Sequence, residues 1–289
     1  MKFFFQTSYR EMKTKFDFSH KHYNSSADFL KTETIMRELK NLLESLYKKL
    51  NKRGLVDPDP LKFLYDYPET KDREIIALLA SSIAYGRVTQ ILKSIDKILL
   101  PIKGKPFDFV TSNSEKDFLK IYKGFVHRFT TDDDLAKLFR GMKHVLKEYG
   151  NFENLYLCGV EKFVDEMNLS QKSYLIPSPA DGSACKRLNL FFRWMVRNDE
   201  VDPGGWTKAN AANLVVPLDT HAFKAAKILS FTEKKAPNYK AALEITSHYA
   251  EIAPEDPVKY DFALTRFGIR DDMTFDDFRR EVQQVKEEK

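Results

Sequence analysis

Two short stretches of this chain hold residues whose types and order suit chemistry. In "VVPLDTHAFKAAKIL", Val215 to Leu229, the residues Asp219, Thr220 and His221 stand in a row where an apolar helical pattern begins. An acid there either caps the helix, accepting from its first free N–H groups, or is an active-site carboxylate that the helix N-terminus keeps as the anion. His221 is expected to pack at the helix start. The second stretch is "PSPADGSACKRLNLFFRWMVR", Pro177 to Arg197. Pro177, Pro179 and Gly182 predict a tight connection into a helix. Gly182, Ser183 and Ala184 are small, so their backbone N–H groups can approach a phosphate at the helix N-terminus. Lys186 follows on the first turn, where its own helix dipole disfavours a cation. The plain alternative is a solvated lysine beside a turn.

The elements that must position these residues are helical. From Thr34 onward Ile35, Leu39, Leu42, Leu43, Leu46 and Leu50 recur at helical spacing. "DREIIALLASSIAYG" is nearly all apolar from Ile75 to Ala84, which predicts a buried helix. "RVTQILKSIDKILLPI" places Val88, Ile91, Leu92, Ile95, Ile98 and Leu99 on one face. "TDDDLAKLFRGMKHVLKEYG" has an N-cap, acids in its first turn and Gly150 past its end. Further helices are expected over 154–168, 185–197, 207–213, 220–230, 238–252, 257–267 and 274–287. No run of alternating strands is evident, so the expected fold class is all-α. Residues 1–33 read as an N-terminal extension.

The chain has 289 residues, of which 43% are hydrophobic, and a net charge of +5. That is enough for one or two cores, and the mild positive charge suits a polyanionic partner without requiring one. No stretch of eighteen apolar residues occurs, so no membrane partner is expected. The apolar start MKFFF is too short for a signal-peptide core, and a cytoplasmic location is expected. Cys158 and Cys185 are the only cysteines; an iron–sulfur cluster needs four, and the two lack metal-ligand spacing. No metal and no cofactor are expected.

"GSACKRLN" resembles the hairpin and following helix of helix–hairpin–helix DNA glycosylases, with Gly182, Lys186 and Asn189 in the matching positions. "PLDTHAFKAAKIL" is similar to the segment carrying that superfamily's aspartate, which falls on Asp219. "EIIALLASSIAYGRVTQILKSIDKIL" resembles an early helix and turn of endonuclease III-like enzymes. The resemblance spans most of residues 74–267 with the motifs in order. Asn189, "RWMVR", "VDPGGW" and "PLDTH" also resemble the signature of an uncharacterised bacterial family that is itself similar to these glycosylases. The chain departs in three respects. Lys186 and Asp219 lie farther apart than in endonuclease III-like enzymes, a spacing nearer to archaeal 8-oxoguanine DNA glycosylases. The cysteine quartet is missing. The hairpin reads "SPADGSA" where the superfamily has a Leu-Pro-Gly-Val-Gly type.

The resemblance implies two helical lobes with a cleft between them: a helical barrel over 71–199 ending in the hairpin, and a second lobe from 34–70 and 200–289. It implies excision of a damaged base, such as an oxidised purine, from double-stranded DNA by a monomer. Lys186 would be the nucleophile and give a Schiff base with lyase activity. Asp219 would stabilise the oxocarbenium-like sugar. Gly182, Ser183, Ala184 and Arg187 would bind DNA. A base taken out of the duplex is held between aromatic faces, and Tyr85, Trp206 and Phe192 are the candidates. Phe192 at helical spacing is expected in the core, whereas Trp206 lies in a Gly-rich loop. Asp202 either accepts from a base N–H or caps a helix near Thr207. Arg193 and Arg197 either meet phosphates or pair with acids. Two other readings stay open: a non-catalytic nucleic-acid-binding module, and a hydrolase acting on a nucleoside or modified RNA base.

Overall fold

The computed structural model describes residues 26–169, 171 and 173–287, with side chains from Glu33 onward. Among these residues the architecture is all-α with one short β-ribbon. The chain divides into two units. One is Arg53–Ala211; the other joins the segment up to Lys52 with the segment from Ala212 onward. Residues 53–70 and 200–211, expected in the second lobe, therefore belong to Arg53–Ala211, the unit central in the chain. Their side chains explain it: Leu61 and Leu64 are buried in a 3-10 turn, Pro60–Asp66, that packs on the central helix. Tyr65 also donates from its hydroxyl to the Val201 carbonyl.

The central unit is built around α2 (Thr70–Ile83). Every residue from Glu74 to Ile83 is buried, as expected of a helix that is apolar on nearly all sides. The amphipathic α3 (Val88–Leu99) turns Ile91, Ile95 and Ile98 inward. Two short helices follow that the periodicity does not show, α4 (Pro106–Ser112) and α5 (Glu115–Ile121). Each is only two turns long, too short for an apolar period to register. Local chemistry starts them instead: Pro106 at the first position of α4, and a Ser114–Asp117 capping box on α5.

A two-stranded antiparallel ribbon, β1 (Val126–His127) and β2 (Thr130–Thr131), leads into α6 (Asp132–Tyr149). Thr131 and Asp134 form the capping box of α6, Asp132 to Asp134 occupy its first turn, and Gly150 ends it at φ 79°. Its inward face is Leu135, Leu138, Phe139, Met142, Val145 and Leu146. Phe139 stacks on Phe118 and Tyr122, with ring centroids 4.7 and 5.3 Å apart.

The single helix expected over 154–168 is two, α7 (Phe152–Tyr156) and α8 (Val160–Asn168), broken at Gly159, whose φ is 115°. After a connection that includes a 3-10 turn at Pro179–Asp181, α9 (Lys186–Val196) packs along α2. The helix expected over 207–213 is reduced to one 3-10 turn, Ala211–Asn213. The Lys208 and Ala209 N–H groups donate to Glu153 Oε1, which fixes that backbone in a loop.

The second unit contains α1 (Ser26–Leu50), α10 (Thr220–Leu229), α11 (Tyr239–Ile252), α12 (Asp261–Thr265) and α13 (Phe275–Glu287). α12 and α13 each pack against both α1 and α10. Leu43, Leu46, Ala225, Ala226, Phe262 and Phe278 are among the buried side chains. The expected extension over 1–33 is corrected in part: residues 26–33 are the first turns of α1, and residues 1–25 lie outside the described residues. Residues 26–33 carry no apolar period of their own. A helix nucleated by Ile35 to Leu50 extends through them at little cost, because propagation is far easier than nucleation. Among the described residues no helix is long and apolar enough to cross a membrane.

Candidate functional site

The connection into α9 is shaped by two left-handed residues, Gly182 at φ 74° and Cys185 at φ 50°. The Gly182 N–H donates to the Pro179 carbonyl at 3.0 Å, and the Cys185 N–H to Ser183 Oγ at 3.2 Å. Those two donors are therefore committed to the turn. The Ser183 and Ala184 N–H groups have no hydrogen-bond partner among the described residues. Of the three residues expected to hold a phosphate, Gly182 has its N–H committed to the turn, whereas Ser183 and Ala184 have theirs uncommitted among the described residues. Asn189 is buried and donates from Nδ2 to the Ala184 carbonyl at 3.4 Å, bracing the turn from inside α9. Burial pushes the Cys185 thiol up to about 11.

Lys186 lies against the far end of α2. Its Nζ donates to the Ala84 carbonyl at 3.2 Å. Arg187 donates from Nη1 to the Ser82 carbonyl at 2.9 Å and from Nη2 to the Tyr174 carbonyl. The last carbonyls of a helix lack intrahelical partners and carry partial negative charge. Lys186 is misplaced by the dipole of its own helix, but well placed by that of α2. Arg187 also lies over two rings, 5.0 Å from the centroid of Tyr85 and 4.5 Å from that of Tyr174. Burial holds its guanidinium below the usual range. Each terminal nitrogen donates to a backbone carbonyl, so Arg187 braces two segments while its side chain stays half-buried.

Tyr85 and His127 fasten the β-ribbon to the end of α2 by reciprocal bonds. The Tyr85 hydroxyl donates to the His127 carbonyl at 2.8 Å, and His127 Nε2 lies 3.1 Å from the Tyr85 carbonyl. With Nε2 as donor, His127 Nδ1 accepts from Ser94 Oγ at 2.8 Å. Burial lowers the His127 pKa, in keeping with a neutral ring. Tyr85 is half-buried, edge-on to both His127 and Tyr174. His127, Ser94 and Tyr174 carry no sequence signal for this role, because their partners lie far away in the chain.

Asp219 stands in the second unit at the head of α10. Its Oδ1 accepts from the His221 and Ala222 N–H groups, both at 2.8 Å. Its Oδ2 has no hydrogen bond among the described residues, and the side chain is half-exposed. Capping and chemistry are therefore not exclusive: one oxygen caps, the other is uncommitted. His221 packs, as expected. Its ring stacks on Phe275 at 6.2 Å, and a Cβ on Gly268 would lie 2.0 Å from its Nδ1.

Two expected base-pocket residues are corrected. Trp206 is buried in the central unit between Tyr156, Phe191 and Phe192, with its Nε1 donating to Glu74 Oε2 at 3.0 Å. Phe192 is core, as expected. Asp202 is 0% exposed. It accepts from Arg193 Nε and Nη2 and from Arg197 Nη1, and its N–H donates to Asp199 Oδ1. Arg193 and Arg197 thus pair with acids inside the unit. Burial leaves neither Trp206 nor Asp202 a face for a base. Glu74, which the sequence hides inside an apolar run, is pushed up to about 7 by burial. Among the described residues no three His, Cys, Asp or Glu side chains cluster as a metal site would.

The model of a family described as a protein of unknown function, DUF2400, matches residues 59–270. The chain belongs to this family. The matched span of DUF2400 takes in Lys186, Asp219, Glu74, Tyr85 and the β-ribbon, and leaves out α1 and α13. No curated protein matches the chain, and no solved structure matches it.

Proposed function

We propose that the chain is a DNA base-excision glycosylase of helix–hairpin–helix type, with Lys186 as nucleophile and Asp219 as its carboxylate partner in one reaction. The observation that carries the reading is the pair of uncommitted N–H groups on Ser183 and Ala184, one residue short of Lys186 at the N-terminus of α9. A phosphate held there brings its sugar to the first turn of α9. The Nζ lone pair then bonds to C1′, and the N-glycosidic bond breaks. The base leaves with the bonding pair and a proton given up by Nζ. Opening of the C1′–O4′ bond yields the protonated Schiff base, with O4′ taking a proton from solvent. Asp219 Oδ2 supplies the negative charge that opposes the developing oxocarbenium. To attack, Lys186 must release the Ala84 carbonyl and present a neutral amine.

Borohydride trapping on a panel of duplexes bearing damaged bases, oxidised purines included, tests this. Hydride reduces the Schiff base to a stable amine, so enzyme and DNA stay covalently joined. A trapped complex with at least one lesion is expected; none across the panel, with the protein folded, ends the reading. One observation favours a second reading, a nucleic-acid-binding module without catalysis. The Lys186–Ala84 and Arg187–Ser82 bonds give both residues a structural task, tying α9 to α2. Binding without trapping is the outcome that selects it.

A further inference from the structure

Single apolar side chains in solvent need no reason, but exposed rings that touch one another mark an interaction surface. Beside Lys186 there are two. Phe129, at the tip of the β-ribbon, is 70% exposed, and Tyr174, just before the hairpin, is 53% exposed. Their rings meet edge-on, with centroids 6.3 Å apart and planes at 82°. Each has a guanidinium over it: Arg128 lies 5.5 Å from the Phe129 centroid, and Arg187 lies 4.5 Å from that of Tyr174. The support is hydrogen-bonded. The reciprocal Tyr85–His127 bonds hold the ribbon, and Arg187 is fixed to the Ser82 and Tyr174 carbonyls. Arg128 holds its left-handed turn at φ 55° with its side chain against Gly86, where a Cβ would lie 2.8 Å from Arg128 Cδ. Cations lie along the ribbon itself, while Asp132 to Asp134 follow it in the first turn of α6, where Asp132 Oδ2 accepts from the Gly124 N–H. From Phe118 to Thr131 the chain carries Lys120, Lys123 and Arg128, all exposed, and no acid.

We infer that Phe129 and Tyr174 form a stacking platform for unpaired nucleobases of a single-stranded stretch, with Arg128 and Lys123 meeting its phosphates. Exposed aromatic faces set among cations are what sequence-tolerant single-strand binding requires, because every base has a π-face and every nucleotide a negative charge. The platform adjoins Lys186 through Tyr85, whose ring is 5.4 Å from that of Tyr174, and Ala84, the residue before it, accepts from Lys186. The inference rests on nucleic acid being the partner, as proposed above. It adds that the partner is unpaired next to the lysine.

Fluorescence anisotropy of a labelled twelve-residue oligothymidylate with the full chain tests it, beside an oligomer of equal length made of abasic sugar-phosphate units. The thymidylate is expected to bind, and the abasic oligomer to bind more weakly. Phe129→Ala and Tyr174→Ala are each expected to weaken thymidylate binding by about five- to 150-fold, the range for loss of one base-stacking ring, and to leave abasic binding as it was. Both side chains are exposed, and circular dichroism confirms that the variants are folded. Phe129→Trp is expected to restore binding, with fluorescence of the introduced indole quenched by the stacked base. Equal binding of thymidylate and abasic oligomers, or wild-type affinity in both alanine variants, overturns the platform. So does Phe129-dependent self-association on a sizing column without oligonucleotide binding. Failure of borohydride trapping ends the excision reading and leaves these binding outcomes intact, so the two failures are distinguishable.

Discussion

Lys186, the first residue of α9, donates from Nζ to the carbonyl of Ala84, the residue that ends α2, at 3.2 Å. The N-terminus of one helix thereby supplies the cation that the C-terminus of another lacks. For Lys186 to act as the proposed nucleophile, it must leave that carbonyl. Whether the lysine is a tie or a nucleophile is a question that substitution answers.

Lys186→Gln is expected to keep the fold and DNA binding, since its amide can still donate to the Ala84 carbonyl, and to abolish borohydride trapping. The stability change is expected to stay within about 1 kcal/mol, the net value of one such hydrogen bond. Urea unfolding and a trapping gel check both. Trapping at wild-type yield would place the nucleophile elsewhere.

Asp219 offers a cleaner separation, because one of its oxygens caps α10 and the other is uncommitted. Asp219→Asn retains an oxygen that accepts from the His221 and Ala222 N–H groups, so stability is expected to change little. Its charge is gone, and single-turnover excision is expected to slow by roughly ten- to a thousand-fold. Asp219→Ala also loses the cap and is expected to cost about 1 kcal/mol more in urea unfolding. An asparagine variant of undiminished rate would reduce Asp219 to a cap.

Glu74 gives a pH dependence that involves no substrate. Burial raises its carboxyl from 4.5 to about 7, and Glu153 nearby adds to the shift. Trp206 Nε1 and the Phe152 N–H both donate to Oε2, leaving Oε1 to carry the proton. The folded state therefore binds the proton more tightly than the unfolded one. Glu74 contributes its full stability below about 4.5, and that contribution is lost as pH rises through about 7. The loss amounts to about 3 kcal/mol between those limits. Glu74→Gln keeps an oxygen for both donors and has no proton to lose. Urea midpoints from pH 5 to pH 8 should fall for the wild type and fall less for the variant. Parallel curves would place the dependence on other groups.

Asp202 tests the correction made to the base pocket. Asp202→Asn leaves Arg193 and Arg197 buried with one carboxylate fewer, and is expected to destabilise the fold by about 3–5 kcal/mol. Lesion preference in the trapping panel should stay as in the wild type at a temperature where the variant is folded. An altered preference with unchanged stability would return Asp202 to the substrate.

The sequence by itself determined what short-range physics determines. The apolar periods of α3 and α6 gave their inward faces, and Thr131 with Asp134 gave the start of α6. Gly182 marked the left-handed turn before α9, and Asp219 marked the head of α10. All of these depend on neighbours within a turn or two of helix. The tertiary structure decided what depends on partners far away in the chain. Trp206 in its Gly-rich loop looked open, and became core only because Glu74 and three aromatic rings from other elements close around it. Asp202 looked like a recognition acid until two arginines on α9 consumed its oxygens. Lys186 looked misplaced on its own helix, because the dipole that suits it belongs to α2. Phe129 and Tyr174 gave no signal at all: exposure is not a property of a residue type, and only the packed ribbon leaves those two rings in solvent.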